Sequence, residues 1–106
     1  MSKIQLSEIE IQIIEQVFQT AHQRETSALI AHVRDRSASI TELNDLWSLH
    51  DLLSTKRHEI DGKYSFNETS YVFDFASLIK EGWVSLEDLK GLNSGTLSKI
   101  SALARM

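Results

Sequence analysis

Residues 46–64 have the sequence LWSLHDLLSTKRHEIDGKY, in which leucines recur at the spacing of a helix. When residues are placed about 100° apart around a helix axis, one face of this stretch is mainly apolar. The residues on that face are Leu46, Leu49, His50, Leu53, Arg57, Ile60 and Tyr64. Arg57 lies near the middle of the face, where an unpaired guanidinium would lose its hydration at a cost of several kcal/mol. The sequence therefore predicts that a carboxylate neutralises Arg57.

Two aspartates are candidate partners for Arg57. Asp61 lies four residues further along the same helix, and such a pair contributes about 0.3–0.5 kcal/mol when it is exposed. Asp51 lies about 120° around the helix from Arg57 and cannot reach it within one chain. If two copies cross antiparallel near Ser54, however, Asp51 of one copy faces Arg57 of the other, and the pair forms twice. The sequence leaves both alternatives open, an intrachain pair and a homodimer.

The composition narrows the class of protein. A length of 106 residues predicts a single domain with a core of its own. Cysteine is absent, so neither a disulfide framework nor a thiolate metal site can form. The formal net charge is −4 and no cluster of lysine and arginine gathers on one face, which argues against a nucleic-acid partner. Without a signal-peptide pattern or a long apolar run, we expect a cytoplasmic protein with no transmembrane segment.

The helix-breaking residues are scarce, since proline is absent and only four glycines occur. We therefore predict an all-α fold with a single domain over residues 1–106. Residues 1–61 are expected to form a long antiparallel helical arm, and residues 62–106 a small helical head. Within the arm, the apolar pattern predicts a first helix over Glu8–Arg36 and a central helix that runs to Asp61.

Residues with capping side chains predict where the helices of the arm begin and end. Ser7 and Glu10 have the spacing of a capping box, which satisfies free amide donors at the start of a helix. Ser39 and Glu42 have the same spacing and are expected to start the central helix. Gly62 can adopt the left-handed conformation that ends it.

Two polar residues, Glu25 and His32, fall within the apolar stripe of the first helix. We interpret both as edge residues near the tapering end of that stripe. Ile9 and Ile13 lie on the opposite side, and a helix that is apolar on two sides usually packs against two neighbours. This end of the first helix is therefore a candidate contact with a second subunit.

The head contains two outward-facing residues. The apolar pattern of residues 71–81 predicts a helix with one apolar face. Gly82 suits the position just after the last turn of this helix. In this helix Phe73 lies about 160° from the centre of that face. An exposed aromatic residue is a candidate contact for a partner protein, although single exposed apolar residues are common. A short helix begins at Ser85, and a last helix follows it. Lys99 lies on the side of the last helix opposite its apolar face, a position that is ordinary for a solvated lysine and needs no binding role.

An enzyme is the alternative that the histidines suggest. His50 and Asp51 form the dipeptide of metal-dependent phosphohydrolases of the HD class. Further ligands would have to come from His22, His32, His58 and Asp61. Because leucines occupy the helix face beside the dipeptide and the chain is short for such a fold, we predict no catalytic residue and no metal site.

Three stretches of the chain resemble one known family. The stretch 46–64, LIKEGWVSLEDL at residues 78–89 and LSKISALAR at residues 97–105 are similar to the fluorescence recovery protein family of cyanobacteria. The resemblance extends over about half of the chain, and roughly the first forty residues match only in helical character. It implies a non-enzymatic helical homodimer, without a cofactor, that binds the C-terminal domain of the orange carotenoid protein.

The activity that the resemblance implies is regulatory. A member of this family accelerates the return of the photoactivated red carotenoid protein to its orange form and helps to detach it from the phycobilisome, which ends photoprotective quenching. The implied location is the cytoplasm, at the cytoplasmic face of the thylakoid membrane near phycobilisomes. The alternative is a homodimeric helical interaction module of the same family that acts on a different partner.

The resemblance also assigns residues to these roles. The residues implied to bind the partner are Trp47, His50, Asp51 and Arg57 of the family's signature patch, with Phe73 and Lys99 of the head. The residues expected at the dimer interface are Leu46, Trp47, His50, Asp51, Leu53 and Arg57.

Overall fold

The computed structural model describes residues 6–106 of the chain. Within this range the protein is all-helical, as the sequence predicted, and measures 59 × 26 × 24 Å. Its elements are α1 (Glu8–Ser37), α2 (Leu43–Ile60), α3 (Tyr71–Glu81), a 3₁₀ helix (Leu86–Leu89) and α4 (Ser94–Ala104). The observed α1 and α2 agree with the predicted first and central helices to within one residue at their C-terminal ends.

The start of α1 confirms one predicted capping box, and the start of α2 contradicts the other. The Ser7 hydroxyl accepts a hydrogen bond from the Glu10 amide at 3.1 Å, and the Glu10 carboxylate accepts one from the Ser7 amide at 3.2 Å. At α2, the Asp45 carboxylate instead accepts hydrogen bonds from the amides of Thr41 and Glu42, each at 3.1 Å. The predicted box of Ser39 with Glu42 is wrong.

The turn between the two helices explains this difference. The amides of Ser39 and Ile40 still bond to the carbonyls of Arg36 and Ser37, at 3.0 and 3.3 Å, so Ser39 belongs to the end of α1. The chain turns back only after residue 40. The free amides at the start of α2 therefore follow Glu42, three residues beyond the predicted start at Ser39.

The core lies between the first half of α1 and the C-terminal elements. The rings of Phe18 and Phe75 stack with their centroids 4.5 Å apart. Ile13 packs against this core, whereas Ile9 remains exposed. The buried apolar residues are Ile14, Val17, Phe18, Ala21, Tyr71, Phe75, Ala76, Leu78, Val84, Leu89, Leu92 and Ile100. The head is thus packed against the first half of α1.

The second half of α1 projects beyond this core, and α2 returns antiparallel to it. Lys56 of α2 lies beside Ala28 and Leu29 of α1 at a small cavity, and residues just after α2 contact Glu25. No residue of α2 is buried. Gly62, with φ of 74°, ends α2 in the left-handed conformation as predicted. The α1–α2 hairpin is therefore a long arm with little covered surface.

Candidate interaction surfaces

The exposed face of α2 carries large apolar side chains. Trp47 is 56% exposed and Leu46 is 47% exposed, and Leu43 and Leu53 also face solvent. An apolar row of this kind on one helix is characteristic of a surface that another protein covers. We use the name arm surface for the predicted interface residues, which are Leu46, Trp47, His50, Asp51, Leu53 and Arg57.

The polar members of the arm surface are accessible as well. The His50 imidazole Nδ1 lies 3.5 Å from the Asp51 carboxylate, and both side chains are mostly exposed. Arg57 is exposed, and the ion pairs formed among residues 6–106 do not include one between Arg57 and Asp61. The intrachain partner that the sequence offered for Arg57 is therefore not engaged in the single chain.

A groove in the head brings two predicted contact residues together. Phe73 on α3 is 60% exposed, as the helical pattern predicted, and Lys99 on α4 is exposed too. Both line one groove of about 410 Å³, which we call the head groove. Its lining residues are Thr69, Val72, Phe73, Lys99, Ala102 and Leu103. The groove therefore offers an aromatic ring and an ammonium group beside a mainly apolar lining.

Among residues 6–106, the most buried charged side chain is one whose burial the sequence did not predict. Glu25, predicted to be an edge residue, is only 5% exposed, whereas His32 is exposed as expected. The Glu25 carboxylate accepts a short hydrogen bond from the Tyr64 hydroxyl and one of 2.9 Å from the Lys63 ammonium. Lys63 also donates to the Glu81 carboxylate at 2.7 Å. We call Glu25, Lys63, Tyr64 and Glu81 the junction cluster.

The charges of the junction cluster stabilise one another. Burial would raise the pKa of the Glu25 carboxyl, but hydrogen bonds from Lys63 and Tyr64 outweigh it, and the pKa is lowered. Burial likewise opposes the charge of Lys63, yet hydrogen bonds to Glu25 and Glu81 raise its pKa. Burial and the hydrogen bond to Glu25 raise the pKa of the Tyr64 hydroxyl, which therefore stays a proton donor. At neutral pH, the charged Glu25 carboxylate is therefore paired with the Lys63 ammonium and hydrogen-bonded by the neutral Tyr64 hydroxyl.

A second polar contact joins α1 to the 3₁₀ helix. The Arg24 guanidinium lies 2.7 Å from the Asp88 carboxylate and also donates to the carbonyl of Trp83 at 3.0 Å. Asp88 additionally accepts from the amide of Ser85, in a capping box at the start of the short helix that the sequence predicted. The hydrogen bond from Arg24 is the main reason that the pKa of Asp88 is lowered to about 2.

These features occur in a chain with clear relatives. The model of the family described as "Photoprotection regulator fluorescence recovery protein" matches residues 6–104. The chain belongs to the fluorescence recovery protein family. It is 48% identical over 100 residues to the fluorescence recovery protein of Synechocystis sp. PCC 6803, which covers 94% of this chain and 92% of that relative.

Solved structures of the fluorescence recovery protein family have the same fold. The protein from Fremyella diplosiphon is 51% identical and superposes with a TM-score of 0.90, over 96% of this chain and 100% of that chain. The protein from Synechocystis sp. PCC 6803 is 47% identical with a TM-score of 0.91, at the same coverage. The family match includes the first half of α1, where the sequence analysis found only helical character.

The fluorescence recovery protein family is described as regulatory, and not as a family of enzymes. In the structure, the histidines and acidic residues that a hydrolase would need do not converge. Among residues 6–106 no group of three or more such side chains is placed to hold a metal ion. None of the helices between residues 6 and 106 is both long and apolar enough to cross a membrane.

Proposed function

We propose that this protein is a non-enzymatic regulator that binds the photoactivated orange carotenoid protein and accelerates its return to the orange form. It also promotes release of that protein from the phycobilisome, and so ends photoprotective quenching. The observation that carries this proposal is the match of residues 6–104 to a family described as a photoprotection regulator. The arm surface and the head groove support it, because both expose apolar side chains of the kind that a partner protein covers.

The head groove is the proposed contact for the C-terminal domain of the carotenoid protein. The exposed face of Phe73 provides apolar area that a partner can cover, and aromatic side chains are frequent anchors of interfaces. Lys99, at the same groove, favours a partner segment that carries a carboxylate beside its apolar side chain. Phe73 and Lys99 together therefore favour a partner segment that carries an apolar side chain and a carboxylate close to each other.

The arm surface is the proposed interface between two copies of this chain. Antiparallel α2 helices that cross near Ser54 cover Leu46, Trp47 and Leu53 of both copies and bring Arg57 of each against Asp51 of the other. This arrangement neutralises the guanidinium for which the single chain offers no engaged carboxylate. Trp47 and His50, at the edge of the crossing, remain candidates for contact with the carotenoid protein.

The regulatory effect follows from differential binding. A protein that binds one conformer of a photoswitch more tightly shifts the equilibrium by the difference in binding free energy. To accelerate reversion it must also bind the transition state more tightly than the red form. We propose that the head groove holds the C-terminal domain while the dimer sets the geometry in which the two domains of the carotenoid protein reassociate. This activity is proposed to occur in the cytoplasm, near phycobilisomes at the thylakoid surface.

The experiment that tests the head groove is Phe73→Ala, with binding to illuminated orange carotenoid protein as the measurement. Loss of an exposed aromatic anchor is expected to weaken binding by about tenfold, and helix content by circular dichroism should be unchanged. Leu86→Ala is the matched control, because Leu86 is also an exposed apolar residue of the head but does not line the groove. Equal affinities of Phe73→Ala and the unaltered protein would exclude the head groove as the site.

A further inference from the structure

The attachment of α2 to the rest of the molecule is unusual for so long a helix. None of its 18 residues is buried, so packing within the single chain covers it only in part. Because tertiary packing, rather than intrinsic propensity, supplies most of the stability of helices in proteins, the position of α2 depends strongly on contacts at its ends. One end is the turn after α1. The other end leads directly into the junction cluster.

The junction cluster connects three helices through two consecutive residues. Gly62 turns the chain at the end of α2, and Lys63 and Tyr64 follow at once. The Lys63 ammonium bonds to Glu25 of α1 at 2.9 Å and to Glu81 of α3 at 2.7 Å. The Tyr64 hydroxyl donates to the same Glu25 carboxylate. The C-terminal end of α2 is thus tied both to the arm and to the head.

The burial of Glu25 makes this connection specific. The residue is only 5% exposed, so a displaced Lys63 or Tyr64 would leave the Glu25 carboxylate with little contact with bulk water to replace the lost hydrogen bonds. The side chain of Lys63 is also largely covered, with 21% of its surface exposed. Any displacement of the end of α2 that separates these partners leaves a buried charge without a counter-ion. Alternative positions of α2 are therefore disfavoured.

We propose that Glu25 is a positioning residue that, through Lys63 and Tyr64, fixes the orientation of the arm surface relative to the head groove. The consequence for regulation rests on the function proposed above, because it requires both surfaces to act on one carotenoid protein. A fixed orientation would place the bound C-terminal domain in the geometry needed for reassociation. Loss of the cluster then leaves binding at the head groove intact but makes the bound complex less productive.

The absence of cysteine allows a direct measurement of this orientation. Spin labels are attached at Thr55→Cys on α2 and Ser77→Cys on α3, both exposed positions, and labelled protein is diluted with excess unlabelled protein. Pulsed electron paramagnetic resonance then reports one intramolecular distance. The unaltered cluster is expected to give a narrow distribution. Glu25→Ala should broaden or shift it, at unchanged helix content, whereas Glu15→Ala, an exposed control on α1, should not.

Two further variants keep the test decisive if Glu25→Ala does not fold. Tyr64→Phe removes only the hydroxyl that donates to Glu25, and Glu25→Gln keeps an acceptor for Tyr64 but removes the charge that pairs with Lys63. Both should broaden the distribution by less than full removal of the carboxylate. A narrow, unshifted distribution in every folded variant would overturn the proposal.

The functional consequence is measured as the rate of dark recovery of the carotenoid protein. When this protein is added at saturating concentration, the cluster variants should accelerate dark recovery several-fold less than the unaltered protein. The concentration of protein that gives half of each variant's maximal acceleration should stay the same. Phe73→Ala should show the opposite pattern, a higher half-maximal concentration. If the unaltered protein has no effect on recovery but the distances respond, the proposed function fails and the positioning role stands. If recovery is accelerated and the distances do not respond, the positioning role fails alone.

Discussion

Replacing Leu46 by glutamate is expected to dissociate the proposed dimer. Leu46 is 47% exposed in the single chain, and full burial of a leucine contributes about 2 kcal/mol. Covering the exposed half therefore contributes about 1 kcal/mol in each copy, and about 2 kcal/mol in the dimer, because the two-fold axis uses the residue twice. A carboxylate set among leucines without a partner adds at least about 1 kcal/mol in each copy, and so about 2 kcal/mol in the dimer. The sum of about 4 kcal/mol raises the dimer dissociation constant about 1,000-fold.

The assay for Leu46→Glu is light scattering coupled to size-exclusion chromatography over a dilution series. The unaltered protein should have the mass of a dimer, and the variant that of one chain. Leu86→Glu is a close control, because Leu86 lies in the 3₁₀ helix of the head and is 43% exposed, nearly the same as Leu46. A dimer that survives Leu46→Glu, or that dissociates equally with Leu86→Glu, would refute the placement of the interface on α2.

Two predictions concern the stability of the head on α1. The pKa of Asp88 is about 2 in the folded protein against 3.8 ordinarily, so its pairing with Arg24 stabilises the fold above about pH 4. That contribution is lost between about pH 4 and pH 2. In urea unfolding, Arg24→Ala should show a smaller loss over this range, because only the hydrogen bonds with Ser85 still lower the pKa of Asp88. Gly91→Ala should lower the free energy of unfolding by about 2 kcal/mol, since φ is 107° and the new Cβ would lie 2.7 Å from Cδ1 of Ile13, which would have to shift. Gly62→Ala, with φ of 74° and open space around it, should cost about 1 kcal/mol. Equal losses would contradict the greater backbone strain and crowding at Gly91.

The sequence was sufficient for the features that depend on local chemistry. The Ser7–Glu10 capping box and the left-handed Gly82 at the end of α3 are confirmed, because a cap needs only residues a few positions apart. Helical periodicity also placed Phe73 on the exposed side of α3, and this is confirmed. The roles of the arm surface and of the head groove in binding stay predictions.

The features that were missed depend on residues far apart in the chain. Nothing near Glu25 indicates that Lys63 and Tyr64, almost forty positions away, will cover it, so its place in the apolar stripe looked like the edge of a helix. The head groove likewise exists only because α3 and α4 pack side by side and bring Phe73 next to Lys99. The start of α2 was misplaced because two overlapping pairs have capping-box spacing, and the extent of the preceding turn decides between them.

The proposed function requires that the protein acts on the photoactivated carotenoid protein. Orange carotenoid protein is converted to its red form by strong light and then placed in the dark, with and without this protein, while the red absorbance is followed. We predict that recovery is faster in proportion to the amount of protein added, until the red form is saturated, and that Phe73→Ala requires a higher concentration for the same rate. A recovery trace that is identical with and without the protein would contradict the proposed function.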